Sequence, residues 1–162
     1  MSQLSKVASM LSGDTAFLLV CFVVIMGVAF YLGRGFLISL IISFYPASLL
    51  YKSFPFLEKA IVLSGENLIV INKIGVFIVF LVPIAIVLNR FIFSASEYGR
   101  GDNILKLAGL SVAFLILVVL FSYNTVSYDA LHDFSPQIDA IFGVEERQFY
   151  WYLAPIALMG VL

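Results

Sequence analysis

The sequence predicts an all-α integral membrane protein, built as a bundle of four transmembrane helices plus an amphipathic connector and a short hydrophobic C-terminal helix. Of its 162 residues, 62% are hydrophobic and only 12% are charged, whereas a soluble domain carries about 25% charged residues. Stretches such as residues 17–32 and 110–121 are apolar on nearly all sides, which disfavours the alternating pattern of barrel strands. We therefore expect a single membrane domain over residues 1–162, multi-pass and surrounded by the lipid bilayer.

A polar break, Gly33-Arg34-Gly35-Phe36, divides an apolar run that extends from residue 16 to residue 51. This run is much longer than the roughly 20 residues that a helix needs to cross the hydrocarbon core. Glycine adopts positive φ without a Cβ penalty, and an arginine held at the bilayer centre is costly. We therefore predict a tight turn at the membrane surface formed by Gly33, Arg34 and Gly35.

Four segments are long and apolar enough to be spans: residues 15–32, 36–51, 74–93 and 104–122. Asp14 suits the start of the first span, because a short acceptor side chain can cap free backbone amides. Residues 52–73 alternate short apolar patches with polar residues. We interpret them as an amphipathic connector, with a re-entrant segment as the alternative.

The C-terminal part divides into a polar tail, residues 123–148, and an apolar segment, residues 149–162. In the tail, Ser135-Pro136 predicts the start of a short helix that ends near Gly143. The apolar segment would rise only about 21 Å as a helix. We expect it to insert partway or to dock against the bundle, and a fifth crossing is the alternative.

Small side chains recur every four residues after the polar break, at Gly35, Ser39, Ser43 and Ala47. On a helix they form one continuous face, which we call the small-residue ridge, and such faces allow close helix packing. Gly109 and Ala113 have the same spacing in the fourth span. The same ridge, with Tyr45, could instead line the path of a pore.

Nothing in the sequence indicates catalysis. No nucleophile elbow, zinc-protease motif, phosphate-binding loop or dinucleotide fingerprint occurs, so we expect no enzyme, no metal and no cofactor. The single histidine, His132, lies between Asp129 and Asp133; these groups could bind a metal, but we interpret them as a solvated polar patch. The net charge of −1 leaves no basic excess for nucleic acid.

The pattern resembles the bacterial colicin V production (CvpA) family over about residues 14–142. Asp14 is an acidic residue that opens the first span, and Gly33, Arg34, Gly35 and Phe36 form a Gly-Arg-Gly-Phe turn. Asp102 and Gly109 are an acidic residue and a glycine near the start of the last span, and Ser135-Pro136 is a Ser-Pro pair after it. Lys106 stands where the family pattern would have glycine, and the apolar tail bearing Trp151 extends beyond it. The resemblance implies a four-helix bacterial inner-membrane protein linked to toxin export and envelope maintenance, and it implies no catalytic residues.

We interpret the sequence as that of an accessory or scaffold protein, with a small channel or transporter subunit as the alternative. An accessory or scaffold protein, packing with itself or with partner membrane proteins, predicts a dry, packed ridge. A small homo-oligomeric channel or transporter subunit predicts a water-filled path lined by Ser39, Ser43 and Tyr45. Basic residues cluster at the first turn and at the loop before the last span, which favours a cytoplasmic location for both: Arg34, Arg90, Arg100 and Lys106.

Overall fold

The computed structural model describes residues 2–56, 66–90, 104–125 and 134–162. These parts contain six helices and no strand, which confirms the all-α class. The helices are α1 (Ser2–Leu32), α2 (Arg34–Ser53), α3 (Glu66–Leu88), α4 (Ile104–Thr125), α5 (Pro136–Phe142) and α6 (Glu145–Val161). Four segments are long and apolar enough to cross a membrane: Gly13–Leu32, Arg34–Ser53, Leu68–Leu88 and Ile104–Asn124. The chain is therefore a multi-pass membrane protein in contact with lipid.

A single residue, Gly33, separates α1 from α2. Its φ is +86° and its ψ is 165°, a conformation that is essentially restricted to glycine. The Gly33 N–H still donates to the Ala29 carbonyl of α1, at 2.9 Å. Of the three predicted turn residues, Gly33 lies between the helices, whereas Arg34 and Gly35 form the first turn of α2. The turn is thus shorter than the three predicted residues, because Gly33 alone redirects the chain.

Two sequence-based boundaries are wrong. α1 is continuous from Ser2, so Asp14 does not start a helix; its carboxylate is instead engaged by a distant backbone amide, as described below. α3 begins at Glu66, so residues 68–73, predicted as connector, belong to the third span. Scattered polar residues such as Asn72 and Lys73 do not stop a helix, because their side chains can extend from it without disturbing its backbone hydrogen bonds. Residues 57–65 of the connector and 91–103 lie outside the described residues.

The short helix of the tail is confirmed. α5 begins at Pro136 after Ser135 and ends before Gly143, whose N–H donates to the Asp139 carbonyl at 2.8 Å. Pro136 fits the first helical turn, where a missing N–H costs nothing. α6 then begins at Glu145, four residues before the predicted apolar segment, and packs along α4.

An aromatic cluster joins α2, α3 and α4 in the core. The rings of Phe77 and Phe121 are stacked with centroids 3.8 Å apart, and Phe44 meets Phe77 edge-on at 5.0 Å. α2 packs most extensively on α3 and also on α4, while α1 packs mainly on α4. Only 6% of the α1 span is buried, against 44% for both α2 and α4. α1 is therefore the most lipid-exposed of the four spans.

Candidate functional site

The small-residue ridge lies inside the bundle. Gly35, Ser39, Ser43 and Ala47 are all buried, the last three at 0% exposure. The Ser39 hydroxyl donates to the Gly35 carbonyl at 2.9 Å, and the Ser43 hydroxyl donates to the Ser39 carbonyl. Serines in helices commonly satisfy their hydroxyls in this way, on the carbonyl four residues earlier. The ridge thus presents small, hydrogen-bonded side chains to neighbouring helices.

The second small-residue face, on α4, is also close to other parts of the chain. Ala113 is fully buried in the same hydrophobic cluster as Ala47. Gly109 lies against α6, because a Cβ added at this position would be 2.5 Å from Leu162 Cδ1. The absence of a side chain at Gly109 is therefore what admits Leu162.

Tyr45 connects α2 to α6. Its hydroxyl donates to the main-chain oxygen of Tyr152 at 2.7 Å, and the contact is partly buried. A channel would need this hydroxyl on a water-filled path. Here it has a main-chain acceptor within the same chain.

Arg34 has a long-range partner that the sequence does not reveal. Its guanidinium Nη2 donates to the main-chain oxygen of Leu162 at 3.2 Å. The last carbonyls of a helix have no intrahelical donor, and a cation near them also complements the helix dipole. Arg34 therefore acts as a side-chain cap on the C-terminal end of α6, 128 positions away in sequence.

Asp14 is a buried charged side chain that also has a distant partner. It is 2% exposed, and its Oδ2 accepts a hydrogen bond from the backbone N–H of Ser135 at 2.9 Å. Next to this bond, the rings of Phe17 and Phe134 meet edge-on, with centroids 6.0 Å apart. Together these contacts attach the first span to the segment before α5. In the sequence, an acidic residue followed by an unbroken apolar run predicts only a local cap.

Side-chain hydrogen bonds connect α5 and α6 to the end of α4 and to each other. The Tyr123 hydroxyl donates to Asp139 Oδ1 at 2.6 Å. Asn124 Nδ2 donates to Gln148 Oε1 at 3.2 Å and to the Tyr152 hydroxyl at 3.0 Å. Trp151 Nε1 donates to the Ile141 carbonyl at 3.1 Å. The polar tail is thus a packed structural element in its described part.

In the described ranges, no group of three or more His, Cys, Asp or Glu side chains is placed to hold a metal ion. The sequence-derived group Asp129, His132 and Asp133 lies outside the described residues, as does Asp102. The residues brought together are instead those of helix packing and helix capping. A comparison of the chain with protein-family models, with curated proteins and with solved structures found no match.

Proposed function

We propose that this chain is an integral membrane accessory or scaffold protein that packs with copies of itself or with partner membrane proteins. The observation that supports this proposal is the state of the small-residue ridge. Ser39 and Ser43 are fully buried, and each hydroxyl donates to a carbonyl of its own helix. A dry ridge of this kind is what close helix packing requires, whereas a pore lining should face water.

The ridge supports the internal bundle, so contacts with another protein would use the outer surface. Of the four candidate spans α1 is the least buried, with only 6% of its span buried, so it offers an exposed face for such contacts. The proposal includes a location in the bacterial inner membrane and a role related to toxin export or envelope maintenance, as the CvpA resemblance implies. It includes no enzymatic activity.

The test combines the native mass of the detergent-purified protein with ion flux through vesicles that contain it. We expect an assembly of more than one copy, or a stable complex with a co-expressed membrane partner, and ion flux equal to that of empty vesicles. Ser43→Leu should reduce assembly indirectly, because enlarging a fully buried position disturbs the bundle whose outer surface makes the contacts. Ser43→Ala is the matched control, since it keeps the small volume.

The channel alternative makes the opposite prediction. Wild-type vesicles would conduct ions, and Ser43→Leu would abolish conduction while leaving the native mass unchanged. That pair of results would overturn the scaffold proposal.

A further inference from the structure

We infer that α6 is a fifth membrane crossing, antiparallel to both α2 and α4, which brings Leu162 to the same membrane face as Arg34. The four spans identified by length and composition do not include α6, which has 17 residues. The inference rests on the positions of its contacts along two other helices. It is independent of the scaffold proposal.

Two hydrogen bonds fix the register of α6 against α2. Arg34 donates to the Leu162 main-chain oxygen, and Tyr45 donates to that of Tyr152. At 1.5 Å per residue, Arg34 and Tyr45 are separated by about 16 Å along α2, and Tyr152 and Leu162 by about 15 Å along α6. The higher-numbered residue of α2 meets the lower-numbered residue of α6. The two helices therefore run antiparallel over this length.

A second set of contacts gives the same register against α4. Asn124, at one end of α4, bonds to Gln148 and Tyr152, and Gly109, near the other end, meets Leu162. The rise from Gly109 to Asn124 is about 22 Å, and that from Gln148 to Leu162 is about 21 Å. Because Ile104–Asn124 is itself a candidate span, α6 accompanies α4 through most of its passage across the membrane.

The composition of α6 fits this depth. No charged residue occurs from residue 149 to residue 162, while Glu146 and Arg147 before it are exposed. Pro155 is fully buried, so one face of the middle of α6 packs against the bundle. Its 17 residues rise about 26 Å, somewhat less than the hydrocarbon core of about 30 Å, and such a mismatch is accommodated by local thinning of the bilayer.

The bundle has two ends, the Arg34 face and the Asn124 face. The Arg34 face contains the turn at Gly33, the start of α4 and the end of α6. The Asn124 face contains the start of the first span, the end of α2 and the start of α6. With five crossings, Gly13 and Leu162 lie on opposite faces, whereas four crossings would leave them on the same side as each other.

The test is labelling of single cysteines in the full chain, in sealed vesicles, with a membrane-impermeant maleimide. The background is Cys21→Ser, which removes the single native cysteine. Val161→Cys and Tyr31→Cys report on the Arg34 face, where these side chains are 86% and 89% exposed, and Lys52→Cys reports on the opposite face. We expect Val161→Cys and Tyr31→Cys to be labelled from the same side, and Lys52→Cys from the other.

Labelling of Val161→Cys from the Lys52 side would overturn the inference, and so would protection of Val161→Cys on both sides until detergent is added.

A disulfide experiment tests the register of α6 against α4 separately. Gly109→Cys with Leu162→Cys should oxidise to an intrachain disulfide several-fold more completely than the control pair Gly109→Cys with Glu146→Cys. Equal yields for the two pairs would also contradict the inference.

Discussion

At the scale of single residues, the backbone conformation at position 33 requires glycine, whereas the packing around it does not. A Cβ at this position would have no atom within 4 Å, yet its φ of +86° is a conformation that L side chains rarely adopt. With ψ at 165°, this region costs a non-glycine residue about 1–3 kcal/mol. Glycine is needed here for conformation, not for space.

Gly33→Ala should therefore lower the free energy of unfolding by about 1–3 kcal/mol, measured by titration with a denaturing detergent. Gly27→Ala is the control, because Gly27 lies inside α1 and a Cβ there also has no atom within 4 Å. Alanine favours a helix interior by up to about 1 kcal/mol over glycine, so this control should be neutral or stabilising. Equal destabilisation by both variants would contradict the conformational explanation.

Asp14 shows that a buried acceptor can connect parts of the chain 121 positions apart. Asp14→Ala leaves the Ser135 N–H without this acceptor, and we expect a loss of about 1–2 kcal/mol in the free energy of unfolding, in the range of hydrogen bonds between membrane helices. Asp14→Asn keeps a side-chain oxygen and should lose clearly less. The same detergent titration distinguishes the two variants, and an equal loss would mean that the hydrogen bond is not the cause.

At the scale of elements, the contact between α4 and α6 depends on the small volume of Gly109. The nearest atom to an added Cβ is the flexible end of Leu162, at 2.5 Å. This end can move aside for one methyl group, but the contact leaves no room for a larger side chain at position 109. The close approach is thus tolerant of a small change and intolerant of a large one.

Gly109→Ala should consequently change the free energy of unfolding by less than about 1 kcal/mol, whereas Gly109→Leu should cost about 1–3 kcal/mol through overpacking. Gly75→Leu is the matched control in α3, where a Cβ would have no atom within 4 Å. Thermal unfolding in detergent is a suitable measurement. If Gly109→Leu and Gly75→Leu behaved alike, the packing of α6 against α4 at this point would be refuted.

At the scale of the whole molecule, the aromatic cluster joins three of the four spans, α2, α3 and α4. Phe121 of α4 stacks on Phe77 of α3 and lies edge-on to Phe44 of α2, with a centroid distance of 5.9 Å to the latter. It is 8% exposed. One side chain thus contacts two neighbouring spans.

Phe121→Ala should cost about 3–5 kcal/mol in the free energy of unfolding, because it removes a large buried side chain and leaves a cavity. Phe149→Ala removes the same atoms from a position that is 64% exposed, and it should cost much less. The measurement is the detergent midpoint of unfolding for the two variants. Similar midpoints would show that the cluster is not a core.

The sequence by itself determined the membrane class, the all-α architecture and the bounds of α5. These follow from local properties: the length of apolar runs, the depletion of charge, and a Ser-Pro helix start followed by glycine. It also located the break at Gly33, because few residues other than glycine can redirect an apolar helix in one step. The scaffold role, the resemblance to the CvpA family and the membrane orientation remain predictions.

Only the tertiary structure decided the partners of Asp14 and Arg34 and the position of α6. Each of these contacts joins residues more than 100 positions apart, and no local pattern encodes which distant amide or carbonyl is met. The length of α6 was an ambiguous signal on its own, since a helix shorter than the bilayer core can lie on the surface or cross it. Its contacts near both ends of α4 favour the crossing that we infer, because a rigid helix can meet two points about 22 Å apart only by running alongside.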